Sequence, residues 1–166
     1  MPDHTQGEEP APLRRLAGSM AAFSACIQAL PGDMFLHRFT EWAPRDVVAH
    51  LIGWNRYTRE AIEQIRRGEM PPYLADVPNH FVNVNAVLVQ TYPATDATVL
   101  LDLLGQTGSD LLAALRRLGA EDWMRDFGAR NPIERPVYIQ RQVDGLSDDY
   151  ENHAHEIAQW RAQWQG

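Results

Sequence analysis

Asp149 and His153 are a carboxylate and an imidazole four residues apart, in a stretch that also holds Glu151, His155 and Glu156. On a helix that spacing places two side chains one above the other on a single face. Such a pair can ligate a divalent metal or hold a proton for acid–base work. Glu151 and His155 repeat the spacing and compete for the role, and periodicity separates the two sets. Ile139, Val143, Leu146, Tyr150, His153, Ile157, Trp160 and Trp164 recur at steps of three and four, which puts His153 on an apolar stripe with Asp149 beside it. At about 100° per residue His155 points roughly 200° away from His153, so His155, Glu151 and Glu156 are assigned to the solvated face. Tyr150 shares the stripe, and spacing alone leaves it two roles: a hydroxyl at the site, as a candidate catalytic group, or simple packing.

His50 is the second interior histidine, one residue before Leu51 and three after Val47 at the edge of another apolar stripe. A histidine so placed either serves a site or is hydrogen-bonded within the core. Trp54 lies one turn further on and can wall a pocket beside it. Asn83 and Asn85 can send an amide toward the same place, and one of the two is assigned to an exposed position, leaving Asn85 as the candidate.

The elements that must position these groups are helices. Leu16, Met20, Phe23, Ile27 and Leu30 define a first helix over about 13–30, stopped by Pro31-Gly32-Asp33. Pro44 suits the first position of a second helix and Asp46 its first turn, with Gly68 as the stop. The prolines from Pro71 to Pro78 impose a linking loop. A third helical region begins near His80 and breaks near Pro93, with Thr95 or Asp96 capping its second part. Gly105 and Gly108 in that part point to close helix packing. After an aperiodic stretch from Asp122 to Pro136, a last helix runs over about 137–163. No alternating strand pattern is present. The expected fold is all-α, a four-helix bundle, with 1–12 as a flexible N-terminal tail and 13–166 as one domain. Trp160 and Trp164 are expected in its core.

Composition narrows the function classes. The net charge of −7 argues against nucleic acid and against an anionic membrane surface as partners. No apolar run reaches the length of a membrane span, and the N-terminus lacks the pattern of a signal peptide, so a cytoplasmic location is expected. Cys26 is the one cysteine and lies in an apolar helical run, where a structural thiol is expected rather than a nucleophile. The arginine pairs 14–15, 66–67 and 116–117 read as solvated helix surface.

The segment Trp42-Ala43-Pro44-Arg45-Asp46-Val47-Val48-Ala49-His50-Leu51-Ile52-Gly53-Trp54 resembles the opening of the second helix in DinB/YfiT-like proteins. Asn83 and Asn85 before an apolar helix, Leu118 to Trp123, and the last-helix set Asp149, Tyr150, His153, Glu156, Ile157 and Trp160 extend the resemblance, which is nearest to the ClbS/DfsB branch. It implies a four-helix bundle of up-down-down-up type and a pocket around one histidine of the second helix and an i, i+4 pair of the last. By position these are His50, Asp149 and His153, with Asp149 where the superfamily most often has histidine. Two imidazoles and a carboxylate suit one divalent transition metal such as Zn²⁺, Ni²⁺ or Mn²⁺. ClbS-type members imply instead a site without an obligatory metal; in such a site His153, held by Asp149, serves as general base for a water, with His50 as proton partner. The implied function is modification or detoxification of a small molecule by a hydrolase or a metal- or thiol-dependent transferase. The competing readings are a binding protein that sequesters such a molecule, and structural histidines in a dimeric bundle. A homodimer is expected by analogy with the superfamily.

Overall fold

A computed structural model describes residues 8–165. Its elements are α1 (Ala11–Gln28), α2 (Pro44–Arg66), α3 (Val82–Thr91), α4 (Ala97–Leu115) and α5 (Ile139–Gln163), with short 3₁₀ segments in the connections. Ala11 and Pro12, assigned to the tail, form the first turn of α1, while Glu8 and Glu9 pair with Arg14 and Arg116. Residues 1–7 of that tail lie outside the described residues.

Local chemistry accounts for the ends. Pro44 opens α2, and the Asp46 carboxylate accepts the Ala43 N–H at 2.9 Å. Gly68 adopts φ +76°, and the Gly68 and Glu69 amides bond back to Ile65 and Gln64 in a Schellman closure. The Asp96 side chain caps α4 by accepting from the Val99 amide at 3.1 Å. At the Pro93 break, helix geometry no longer satisfies the carbonyls, and Arg45 does so instead, donating to Tyr92 and Ala94.

Helix directions follow from the cross-contacts. Arg15 meets Asp148 and Glu151 while Cys26 meets Ala154, so α1 and α5 run the same way. His50 lies beside Asp149, and Tyr73, beyond the end of α2, beside Gln142, so α2 opposes α5. Arg45 meets Ala94 and Asn55 meets Thr107, which makes α4 parallel to α2. The bundle is therefore up-down-down-up, with α3 laid against α2. Gly53 permits that: any side chain there would run into Leu88 of α3. Gly108 faces Met20, whose sulfur would sit 3.4 Å from a Cβ, at the near edge of ordinary contact, and nothing approaches Gly105, so close packing demands neither glycine. Trp160 and Trp164 are half-buried rather than core: they pack on Phe39 and His37 and fasten the α1–α2 connection to the end of α5. No described helix is long and apolar enough to cross a membrane.

Candidate functional site

His50 sits on the buried side of α2 at 3% exposure and looks across the bundle to α5. Its Nε2 lies 2.7 Å from Asp149 Oδ2, and its Nδ1 lies 3.1 Å from Asn85 Oδ1. The indole N–H of Trp54 donates to the same Asn85 oxygen at 2.9 Å. Because an indole nitrogen only donates, the amide atom it meets is the oxygen, and His50 must donate its Nδ1–H there. Nε2 is left with its lone pair aimed at a carboxylate. Two acceptors at that distance must share a proton or a cation.

The other carboxylate oxygen of Asp149 is 3.3 Å from His153 Nε2, and His153 Nδ1 is 3.2 Å from Glu156 Oε2. One ligand atom from each of His50, Asp149 and His153 can be chosen so that all three lie within 4.8 Å of one another. Two nitrogens and a carboxylate oxygen at such separations fit a divalent transition ion and leave positions for water or substrate. Asn85 and Trp54 then act behind the ligand, fixing the ring and its tautomer. Burial works to raise the Asp149 carboxyl, but hydrogen bonds and charge from His153 and His50 outweigh it and hold it well below the usual carboxylate range. Burial likewise works to lower His153, and Asp149 and Glu156 together carry it above the ordinary histidine value.

Trp42 covers the pair from outside, its ring 5.1 Å from that of His50 and stacked at 6.2 Å over that of His153. Beside His50 a cleft of about 440 Å³ opens between α5, Trp54 and the turn before α3. Trp54 meets Tyr73 and Phe81 edge-to-face at 5.0 and 5.2 Å along one wall. His80 and Phe81 both hold positive φ (52° and 59°), a costly conformation for side-chain-bearing residues. Asp76 braces the turn by accepting from the Val84 amide and from Asn79 and Asn83.

Of the sequence candidates, the structure brings His50, Asp149, His153, Trp54 and Asn85 together. Asn83 is exposed. Tyr150 does not belong: it is 1% exposed, its ring meets Phe23, and its hydroxyl donates to Asn55 at 3.0 Å. Its place on the stripe turns it into the core. Glu151 and His155 are exposed, and Glu151 pairs with Arg15. Glu156, placed with them by periodicity, is exposed yet touches His153, because three residues is also a same-face spacing. Trp42, Phe81 and Glu156 are the site residues that sequence reasoning missed. Trp42 left a signal as the first residue of the second-helix motif and Glu156 as a member of the last-helix set, while Phe81 left none.

Replacing Asn85 with alanine removes the acceptor that fixes His50 and strands the Trp54 N–H. Divalent-metal affinity measured by calorimetric titration is expected to fall about 10- to 100-fold. The pH dependence of the metal-free chain has a definite sign. The lowered Asp149 contributes stability above its ordinary value of 3.8, lost as pH falls through its folded value. The raised His153 contributes stability below its ordinary 6.5, lost as pH rises through its folded value. Melting in excess chelator is therefore expected to show stability declining above neutrality, whereas stabilisation by added metal grows there as protons stop competing.

The chain matches the mycothiol maleylpyruvate isomerase N-terminal domain family over residues 13–145 and belongs to that family. The matched span includes His50 and ends before Asp149 and His153. No curated protein matches the chain. Among solved structures, the colibactin self-resistance protein ClbS, in complex with a dsDNA, is 14% identical with a TM-score of 0.72, covering 89% of this chain and 91% of that one. An uncharacterised protein from Escherichia coli UTI89 is 15% identical with a TM-score of 0.73, over 92% and 91% of the two chains. The mycothiol-dependent maleylpyruvate isomerase is 16% identical with a TM-score of 0.67, and 88% of this chain covers 59% of it. The DinB-like, ClbS-type bundle read from the sequence is thus the fold of this protein.

The ClbS complex also corrects one expectation. A protein of this fold is seen in complex with duplex DNA, so the expectation of no nucleic-acid partner does not follow from net charge. Net charge sums the whole surface, whereas a duplex meets only a local patch.

Proposed function

We propose that this chain is a small-molecule-modifying enzyme in which His50, Asp149 and His153 hold one divalent transition ion at the edge of the cleft. The observation that carries the reading is the His50 ring: Nδ1 is committed to Asn85, and Nε2 faces a carboxylate oxygen at 2.7 Å. When bound, such an ion supplies Lewis-acid polarisation of a carbonyl, or activation of a thiol or water. The rest is the work of the protein. Asn85 and Trp54 hold the imidazole of His50 in one tautomer. Trp42 shields both imidazoles from solvent, and the wall of Trp54, Tyr73 and Phe81 takes the apolar body of the substrate. His153, between Asp149 and Glu156, holds a proton at the site when no ion displaces it.

The nucleophile comes from solution, as water in a hydrolase or a small thiol in a transferase or isomerase. Neither cysteine nor serine lines the cleft. Cys26 faces the Ala154 carbonyl on the α1 side, and burial pushes its thiol up. The absence of a thiol from the cleft wall favours a second reading, in which the cleft sequesters a reactive molecule without turning it over. A time course with small electrophiles, with and without a low-molecular-weight thiol and added Zn²⁺, Ni²⁺ or Mn²⁺, separates the two. The enzyme reading predicts metal-dependent product in excess of the protein concentration. Product that stops at one equivalent supports sequestration.

A further inference from the structure

Arg141 is the only arginine on the cleft wall, and no carboxylate among the described residues pairs with it. The cleft's two carboxylates are taken: Asp148 by Arg15 at 2.5 Å, and Asp149 by the two histidines. The cleft therefore carries one unmatched positive charge. Arg141 lies on the same face of α5 as Asp149, two turns away, or about 12 Å along the axis at 1.5 Å per residue. Between them, one turn from each, is Gly145. A Cβ at that position would meet nothing within 4 Å. A glycine in a helix interior weakens the helix relative to alanine, and here it leaves the floor of the cleft open between its cationic end and its imidazole end. The facing wall is aromatic, with Trp54 against Phe81 at 5.2 Å.

We infer that the cleft takes an elongated small molecule with a flat apolar body and one terminal carboxylate. Arg141 receives the carboxylate, the body lies over Gly145 against Trp54 and Phe81, and the far end reaches His50. A carboxylate matches the single guanidinium fork in geometry and charge. At the Arg141 end a phosphate dianion would leave its second charge unmet, because no other arginine lines the cleft. This assignment rests on the cleft being the substrate site proposed above, but its test uses neither metal nor turnover.

The probes are phenylacetate, 4-phenylbutyrate and 6-phenylhexanoate with their primary amides, titrated into the chain in excess chelator so that no ion competes for the carboxylate. Binding is followed by calorimetry and by the indole N–H resonance of Trp54. At least one acid is expected to bind about tenfold or more tighter than its amide, the worth of a charge-assisted pair. Arg141→Gln removes that preference, so that acid and amide bind with equal affinity. Gly145→Leu, with helicity checked by circular dichroism, fills the floor and loses both ligands. Equal binding of acid and amide by the wild type, a preference that survives Arg141→Gln, or unchanged binding by Gly145→Leu overturns the assignment. So does a Trp54 resonance that no acid moves at millimolar concentration. Metal content, measured separately on the untreated protein, is unaffected by any of these results.

Discussion

Replacing Asp149 with asparagine is expected to weaken divalent-metal binding by more than about 100-fold, beyond the loss typical of an outer-shell partner. Among the described residues the carboxylate is the one anionic group that reaches both imidazoles, with oxygens 2.7 Å from His50 and 3.3 Å from His153. An amide keeps the shape, but it removes the charge that offsets the cation and turns an N–H toward one of the ligands. The metal-free variant also loses the hydrogen bond to His50 and the ion pair to His153 from a partly buried position, which costs on the order of 1–3 kcal/mol of folding stability. Zinc titration calorimetry checks the first effect and denaturant melts the second. His155→Ala and Glu151→Gln are the controls, because they carry the competing i, i+4 register. Both groups are exposed, and metal affinity is expected to survive their loss.

The second large effect is on stability and falls on Tyr150. Its hydroxyl donates to Asn55, a fully buried side chain whose amide nitrogen donates in turn to Thr107 at 3.2 Å. Tyr150→Phe leaves the Asn55 oxygen buried without a donor, which costs about 1–3 kcal/mol. For a chain of this size each kcal/mol lowers Tm by roughly 2–4 °C. Metal affinity is expected to stay at the wild-type value, because the hydroxyl points away from the ligands. A catalytic tyrosine would give the opposite pattern, with stability kept and turnover lost.

Tyr150 also marks where a sequence stops being informative. Periodicity assigned it to the interior stripe of α5 together with His153, and both do face inward. A stripe spans a wide arc, however, and what each part of it meets is decided by neighbouring helices. Tyr150 meets α1 and Asn55, while His153 meets α2 and Trp42. The helices themselves were legible because their signals are local. Pro44, Gly68, Asp96 and the Pro93 break act within a turn of their own positions, and the observed ends fall within about two residues of the expected ones. Gly105 and Gly108 look alike in sequence, and only the tertiary approach of Met20 tells them apart. Phe81 reaches the cleft through the strained turn before α3, which no spacing rule encodes, whereas Asn85 was named from the third-helix start and α3 carries it to His50. Net charge misled for a related reason, since it averages away the local patches on which partners bind.

The most direct test of the site is metal analysis of the chain and of His153→Ala after incubation with Zn²⁺, Ni²⁺ or Mn²⁺ and removal of unbound ion. Nδ1 of His50 is held by Asn85, so its Nε2 is free to join Asp149 and His153 around one ion. The expected result is one equivalent of at least one of these metals per chain in the wild type, lost in His153→Ala while the variant remains folded. A wild-type protein that retains no stoichiometric metal at neutral pH would contradict the account.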